Sequence, residues 1–181
     1  MSILQVTISF RIIVLSTNYY KNTYSIMAYE IERKFLVKGE FKSYSFKEYI
    51  IKQGYLAMSH NNVVRIRVRG DEAFITIKSA AFEGTITRNE WEYSIPVSEA
   101  EQMLRLCQGS VIDKTRFNIN VGTHTFEVDV FYGDNEGLIL AEVELESEDE
   151  SFATPDWLGE EVTGDIRYYN SYLAEHPFKK W

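Results

Sequence analysis

Cysteine occurs once, at Cys107, and proline and histidine three times each in 181 residues. A lone thiol excludes an intrachain disulfide and a thiolate metal cage, and it fits a reducing cytoplasm. His60, His124 and His176 stand far apart without ligand spacing, so none is assigned chemistry. There is no G-x-x-x-x-G-K-[ST] loop, which excludes a Walker-type backbone cradle for phosphates, and no G-x-S-x-G nucleophile elbow. Positive charge is in the minority, with 19 Lys and Arg against 27 Asp and Glu and a net charge of -8, so a nucleic-acid duplex is not an expected partner. Long apolar runs are scarce too. Ile3 to Leu15 is the nearest case, but Arg11 interrupts it, no basic region precedes it and no small-residue cleavage site follows. It is too short to span a bilayer, and neither export nor a membrane partner is expected.

The chain does have enough apolar material, 45% of its residues, to build one sizeable core. Met27 stands directly before the informative segment Ala28 to Val37, so residues 1–26 are read as an N-terminal extension from a misassigned start and residues 27–181 as one domain. If ordered, the extension is expected to form an edge strand or docked arm, since Val6, Ile8, Phe10, Ile12 and Val14 alternate with other residues.

Downstream, strand-like segments dominate, separated by turn signals at Ser59 to Asn62, Gly70-Asp71, Gly122 and Gly133 to Asn135. Antiparallel connections follow. A helix is expected from Ser98, with Glu101 completing a capping box, to about Gly109. A second is expected from Asp165 towards Pro177, and a short helical turn around Ser45 to Tyr49.

Side chains two apart on a strand share a face. Glu30, Glu32 and Lys34 do so, as do Arg65, Arg67 and Arg69, then Thr76 and Lys78, then Arg88, Glu90 and Glu92. Lys114 with Arg116, Glu127 with Asp129 and Glu142 with Glu144 continue the series, and the positions between are largely apolar. A half-buried sheet with its charged face in bulk water accounts for any one strand. It does not explain why strand after strand carries paired charges with so few neutral polar residues. A closed antiparallel barrel does, if the charged faces line a lumen and the apolar faces pack outward under helices. A transmembrane barrel would need longer strands and aromatic girdles, which are absent from the sequence.

Lys34, Arg65, Arg67, Lys78, Lys114 and Arg116 would form a cationic ring suited to a polyanion, because guanidinium forks and ammonium groups both bind phosphate oxygens. Glu30, Glu32, Glu90, Glu92, Glu127, Asp129, Glu142 and Glu144 would repel that polyanion unless hard divalent cations bridge them, so Mg²⁺ or Mn²⁺ is implied as cofactor.

The segment E-I-E-R-K-F-L-V at Glu30 to Val37 resembles the E-x-E-x-K signature of the CYTH superfamily, the triphosphate tunnel metalloenzymes. The likeness runs over roughly residues 28 to 176 and is similar to the short bacterial branch through Q-G-Y-L at Gln53 to Leu56, T-I-K at Thr76 to Lys78, K-T-R at Lys114 to Arg116 and E-E-V-T-G-D at Glu160 to Asp165. The resemblance implies an α+β, mainly β fold: a tunnel of eight antiparallel strands with a charged lumen and helices packed outside. It implies metal-dependent hydrolysis of inorganic tripolyphosphate to pyrophosphate and phosphate. Nucleoside or thiamine triphosphate hydrolysis, adenylate cyclisation and non-catalytic polyphosphate binding are the alternatives.

Carried over by motif, Glu30, Glu32, Asp129, Glu142 and Glu144 are the expected metal ligands. Lys34, Arg65, Arg67, Lys78, Lys114 and Arg116 are expected on the phosphates, with Glu90, Glu92 and Glu127 as a second acidic set in the lumen. Tyr55 is expected to meet Lys34 and to orient or deprotonate the attacking water, helped by neighbouring cations that would lower the pKa of Lys34. The expected partner is a small triphosphate-containing molecule, and a homodimer is left open.

Overall fold

A computed structural model of the chain describes residues 31–59, 62–81, 88–147 and 149–181, together with the backbone of 7–8 and 11–12; of Ala80, Ala81 and Arg88 only the backbone is described. In the extension, β1 (Thr7–Ile8) and β2 (Arg11–Ile12) pair antiparallel with each other, in a sheet separate from the rest. The remainder of the expected alternating strand, and His60 within its predicted turn, lie outside the described residues.

The strands of the domain are β3 (Ile31–Val37), β4 (Ser45–Met58), β5 (Asn62–Arg69), β6 (Glu72–Ala81), β7 (Arg88–Ile95), β8 (Gln108–Val121), β9 (His124–Phe131), β10 (Ile139–Leu145) and β11 (Leu158–Glu161). They form one sheet in the order β11-β3-β10-β9-β8-β4-β5-β6-β7, with every pairing antiparallel.

The expected mainly β, antiparallel fold with helices is present; its closure into an eight-stranded barrel is not, since among the described residues this is an open nine-stranded sheet whose ends are β11 and β7. The reason lies at β3, whose free edge would have to take β7 to close the wall. The segment after Pro155 takes that edge instead. Lys38 N–H donates to Trp157 O at 2.8 Å, β11 pairs with β3, Val162 N–H donates to Lys34 O at 2.8 Å, and Lys34 N–H donates to Thr163 Oγ1 at 2.9 Å. From Lys34 onward the edge of β3 is thus taken, and its backbone groups there are not open to β7.

The outward face supplies most of the core, in two parts. Phe35, Phe117, Phe126, Val128, Ala141 and Val143 are buried beneath the loop that carries Phe152 and Trp157, with edge-on ring contacts such as Phe126 to Trp157 at 5.4 Å between centroids. Ile66 and Ala73 are covered by Ala100 and Leu104 of α1 (Val97–Leu104). This helix starts at Pro96, not at a Ser98 capping box, since the proline presets the backbone and no side chain caps the first turn. It ends well before Gly109, because β8 already begins at Gln108. The turn expected at Ser45 to Tyr49 lies earlier, as a 3-10 turn at Lys42–Tyr44, and Ser45 opens β4.

The second helix divides into a 3-10 turn at Ile166–Tyr168 and α2 (Asn170–Glu175). Leu173 and Ala174 of α2 pack against Tyr55, Ile112, Phe131 and Leu140, which places α2 on the charged side of the sheet, at one end of it. Gly109 permits this approach, since a Cβ there would lie 2.4 Å from Ala174 O.

Candidate functional site

Directly opposed residues of antiparallel strands share a face, so register alone tests the expected constellation. Glu144 faces Glu32, Glu142 faces Lys34 and Glu127, and Asp129 faces Arg116. Lys114 and Arg116 face Ile51 and Tyr49 on β4, in line with Gln53 and Tyr55, which face Arg67 and Arg65. Thr76 lies between Arg65 and Glu92, and Lys78 faces Glu90. Every described candidate residue thus stands on one surface. Glu30 lies outside the described residues.

The densest part is a buried ion network on β3, β8, β9 and β10. Lys114 Nζ donates to Asp129 Oδ2 at 2.5 Å and to Asn170 Oδ1 of α2 at 3.2 Å. Arg116 clamps Asp129 with two donors, at 2.7 and 2.6 Å, reaches Glu142 at 2.9 Å and also binds Glu127. Lys34 Nζ binds Glu142 and lies 3.3 Å from Glu32, with the Tyr169 ring 5.7 Å away. Lys114 and Asp129 are wholly withdrawn from solvent, at 0% and 1% side-chain exposure, so each must be paired to be tolerated.

The other half, on β4 to β7, is looser. Arg65 Nη2 donates to Thr76 Oγ1 at 3.1 Å and lies 3.5 Å from Glu92, while Thr76 donates to Glu92 at 2.8 Å. Arg67 Nε donates to Gln53 Oε1 at 3.2 Å, and Lys78 pairs with Glu90 at 2.9 Å. Arg65 Nε is buried with no partner.

The two halves share one electrostatic field. Burial, followed by Arg65 on its own strand and Arg116 across the face, pushes Arg67 down to about 10, which still leaves it charged at neutral pH. Burial pushes Lys114 down to about 8, with Asp129 opposing the shift and Arg116 and Arg67 adding to it. Burial acts to raise Glu142, but Lys34, Arg116 and Lys114 outweigh it and hold the carboxyl well below its usual range. Asp129 is likewise lowered, with Arg116 and Lys114 overcoming burial. Cations of β5 are therefore felt on β8, across the single strand β4 that pairs with both.

Two details depart from expectation. Burial works against the charge of Lys34, but Glu142 and Glu32 are closer to it than any cation and raise its pKa, where a lowered value was expected. The Tyr55 hydroxyl accepts a hydrogen bond from Gln53 Nε2 at 3.2 Å, and among the described residues no hydrogen bond joins it to Lys34. Burial, the largest influence on the phenol, raises it above its ordinary value.

The carboxylates offer hard oxygen donors of the kind Mg²⁺ and Mn²⁺ take. Among the described residues, however, no three such ligands converge in a ready-made metal cluster, because Arg116 and Lys34 hold Glu127, Asp129 and Glu142. Sequence reasoning missed Gln53, Tyr169 and Asn170 as part of this surface. Gln53 could have been found as a neutral polar residue at an inward strand position. Asn170 gave no signal, since its place depends on how α2 docks. No helix among the described residues is long and apolar enough to cross a membrane.

The family model described as CYTH domain matches residues 28–171. The chain is similar to an inorganic triphosphatase of Acetivibrio thermocellus, at 44% identity over 156 residues that cover 86% of this chain and 99% of that protein. It is 41% identical over 149 residues to an inorganic triphosphatase of Nitrosomonas europaea, covering 80% and 96% of the two chains. A crystal structure of an inorganic triphosphatase superposes with a TM-score of 0.64 at 39% identity, covering 82% of this chain and 95% of that one. The family's domain spans most of the chain, and the charged face and sheet agree with relatives matched over nearly their full length: the chain belongs to the CYTH domain family.

Proposed function

We propose that this chain hydrolyses inorganic tripolyphosphate to pyrophosphate and phosphate with Mg²⁺ or Mn²⁺, and that residues 27–181 act as one catalytic domain in the cytoplasm. The observation that carries this is the unspent cationic capacity of the β4 to β7 half. Arg65 keeps a buried, partnerless Nε, and Arg67 is held by a neutral amide, not a carboxylate. A polyphosphate chain supplies the acceptors these guanidinium groups lack.

Lys34, Arg65, Arg67, Lys78, Lys114 and Arg116 hold the phosphates, while Glu32, Asp129, Glu142 and Glu144, with Glu30, are the residues that would hold the metal. Bound there, a divalent cation supplies charge neutralisation and polarises phosphoryl oxygens. Glu90, Glu92 and Glu127 steady the cations between turnovers. As phosphate oxygens take over Lys34 and Arg116, those side chains release Glu142 and Asp129, so that metal and triphosphate favour each other's binding. Lys34, charged beside Glu142 and Glu32 before the triphosphate arrives, then acts as a phosphate clamp rather than as a base, and Tyr55 orients what lies beside it. Phosphoryl transfer asks mainly for such alignment and charge balance.

The test is phosphate release from tripolyphosphate, ATP and thiamine triphosphate, with and without Mg²⁺ or Mn²⁺. Fastest metal-dependent release from tripolyphosphate is expected. Preference for either organic substrate would reassign the substrate, pyrophosphate release from ATP without free phosphate would indicate cyclisation, and tight binding without turnover of any would reduce the chain to a polyphosphate-binding module.

A further inference from the structure

Gln53 is fully buried in the middle of the charged face, where the expected chemistry has no use for it. It sits opposite Arg67 on β5 and opposite the fully buried Ile112 on β8, so its amide has few partners to choose from. Its two hydrogen bonds fix its orientation by elimination. The Nε of an arginine can only donate, so the atom Gln53 presents to Arg67, at 3.2 Å, must be the amide oxygen. The amide nitrogen then faces Tyr55, at 3.2 Å, and because that nitrogen can only donate, the Tyr55 oxygen must accept. The Tyr55 hydroxyl proton is thereby left unspent, and among the described residues nothing accepts it. Arg67 is constrained as well: with Nε tied to Gln53, its two terminal nitrogens are the donors that remain for another acceptor.

We propose that Gln53 is a positioning residue that sets the polarity of the site, pointing the Arg67 fork at bound triphosphate and making Tyr55 a hydrogen-bond donor to it. This inference rests on the triphosphatase reading. It assigns Tyr55 a definite direction: the phenol gives a hydrogen bond to a phosphate oxygen or to the attacking water, and does not take a proton from that water. Buried hydrogen bonds in series polarise one another, so reversing one link changes the next.

Gln53→Glu is the informative variant, being nearly isosteric and still able to accept from Arg67. A carboxylate accepts from both sides, so it captures the Tyr55 proton and reverses the second link. Steady-state kinetics of wild type, Q53E, Y55F and Q53E/Y55F with tripolyphosphate and Mg²⁺ form the test, with thermal melts as the check on folding. Q53E and Y55F are each expected to lower kcat on the order of ten-fold, as for loss of one hydrogen bond to a charged group, with the double variant no slower than the worse single. Multiplied losses in the double variant, or a Q53E defect confined to KM, would overturn the proposal. Should Q53E fail to fold, Y55F at full kcat overturns the donor role by itself, while a Y55F loss in kcat with unchanged KM supports it. A wild-type protein that releases no phosphate from any triphosphate would instead sink the functional reading beneath it.

Discussion

The two halves of the charged face handle buried charge differently. On β3, β8, β9 and β10, cations are matched to carboxylates within the fold, and Arg116 alone binds Asp129, Glu142 and Glu127. On β4 to β7, Arg67 is held by the neutral amide of Gln53, Arg65 donates to Thr76 with Glu92 3.5 Å away, and the Nε atoms of Arg65 and Arg69 have no partner among the described residues. The first half sets Lys34, Lys114 and Arg116 against more carboxylates than cations, so its cations are all matched, and it holds the wall together. The second carries surplus positive potential in a partly dry space, where it attracts an anion far more strongly than it would in water. Loss of a charge should therefore cost mainly stability where the side chain is buried in the paired network, and mainly activity where it is not.

The sharpest way to break this contrast is Arg116→Ala. It leaves Asp129 and Glu142 buried without their main counter-ion, and about 3–5 kcal/mol of stability should be lost, read as a collapse of the denaturation midpoint. An unchanged midpoint would mean that the network is not structural. Lys78→Ala and Glu32→Ala should fold normally and lose about 3 kcal/mol of transition-state stabilisation in kcat/KM, as when one preorganised electrostatic contact is removed. Near-normal rates in both would remove these residues from the site.

Acid separates the halves further. Asp129 and Glu142 have folded pKa values below their ordinary 3.8 and 4.5. Their contribution is fully present above that range and is lost as pH falls through the lowered folded values. Melts of chelator-treated protein should hold steady down to about pH 4.5 and then fall, with Glu142→Gln shallower below that point; a flat profile would contradict the ion network. The smallest effect is expected from Asn170→Ala, which takes one partner from buried Lys114 and should cost about 1 kcal/mol in a denaturant titration.

The comparison also marks how far the sequence could be read. Alternation along single strands revealed the face, because a two-residue period is local and Arg65/Arg67 or Glu142/Glu144 cannot share a side by any other strand geometry. What the strands do at their edges is not local. That β11 takes the edge of β3 depends on Val162 and Thr163 meeting Lys34 across 128 or more residues of chain, and no periodicity encodes it. The direction of the Lys34 shift is not legible for a related reason: the sequence shows that cations gather near Lys34, but not that Glu142 and Glu32 sit directly on the ammonium. Gln53 was visible as a letter in Q-G-Y-L, but its role follows from Arg67 standing opposite it, which register alone reveals.

The central claim, that the open half offers its surplus cations to a triphosphate, is tested most directly by Arg67→Ala, with phosphate release from tripolyphosphate and thermal melting measured on the same sample. We predict kcat/KM lower by roughly two orders of magnitude with the melting temperature little changed, since relief of repulsion among crowded cations offsets the acceptor left open on Gln53. A wild-type rate from a fully folded Arg67→Ala protein would contradict it.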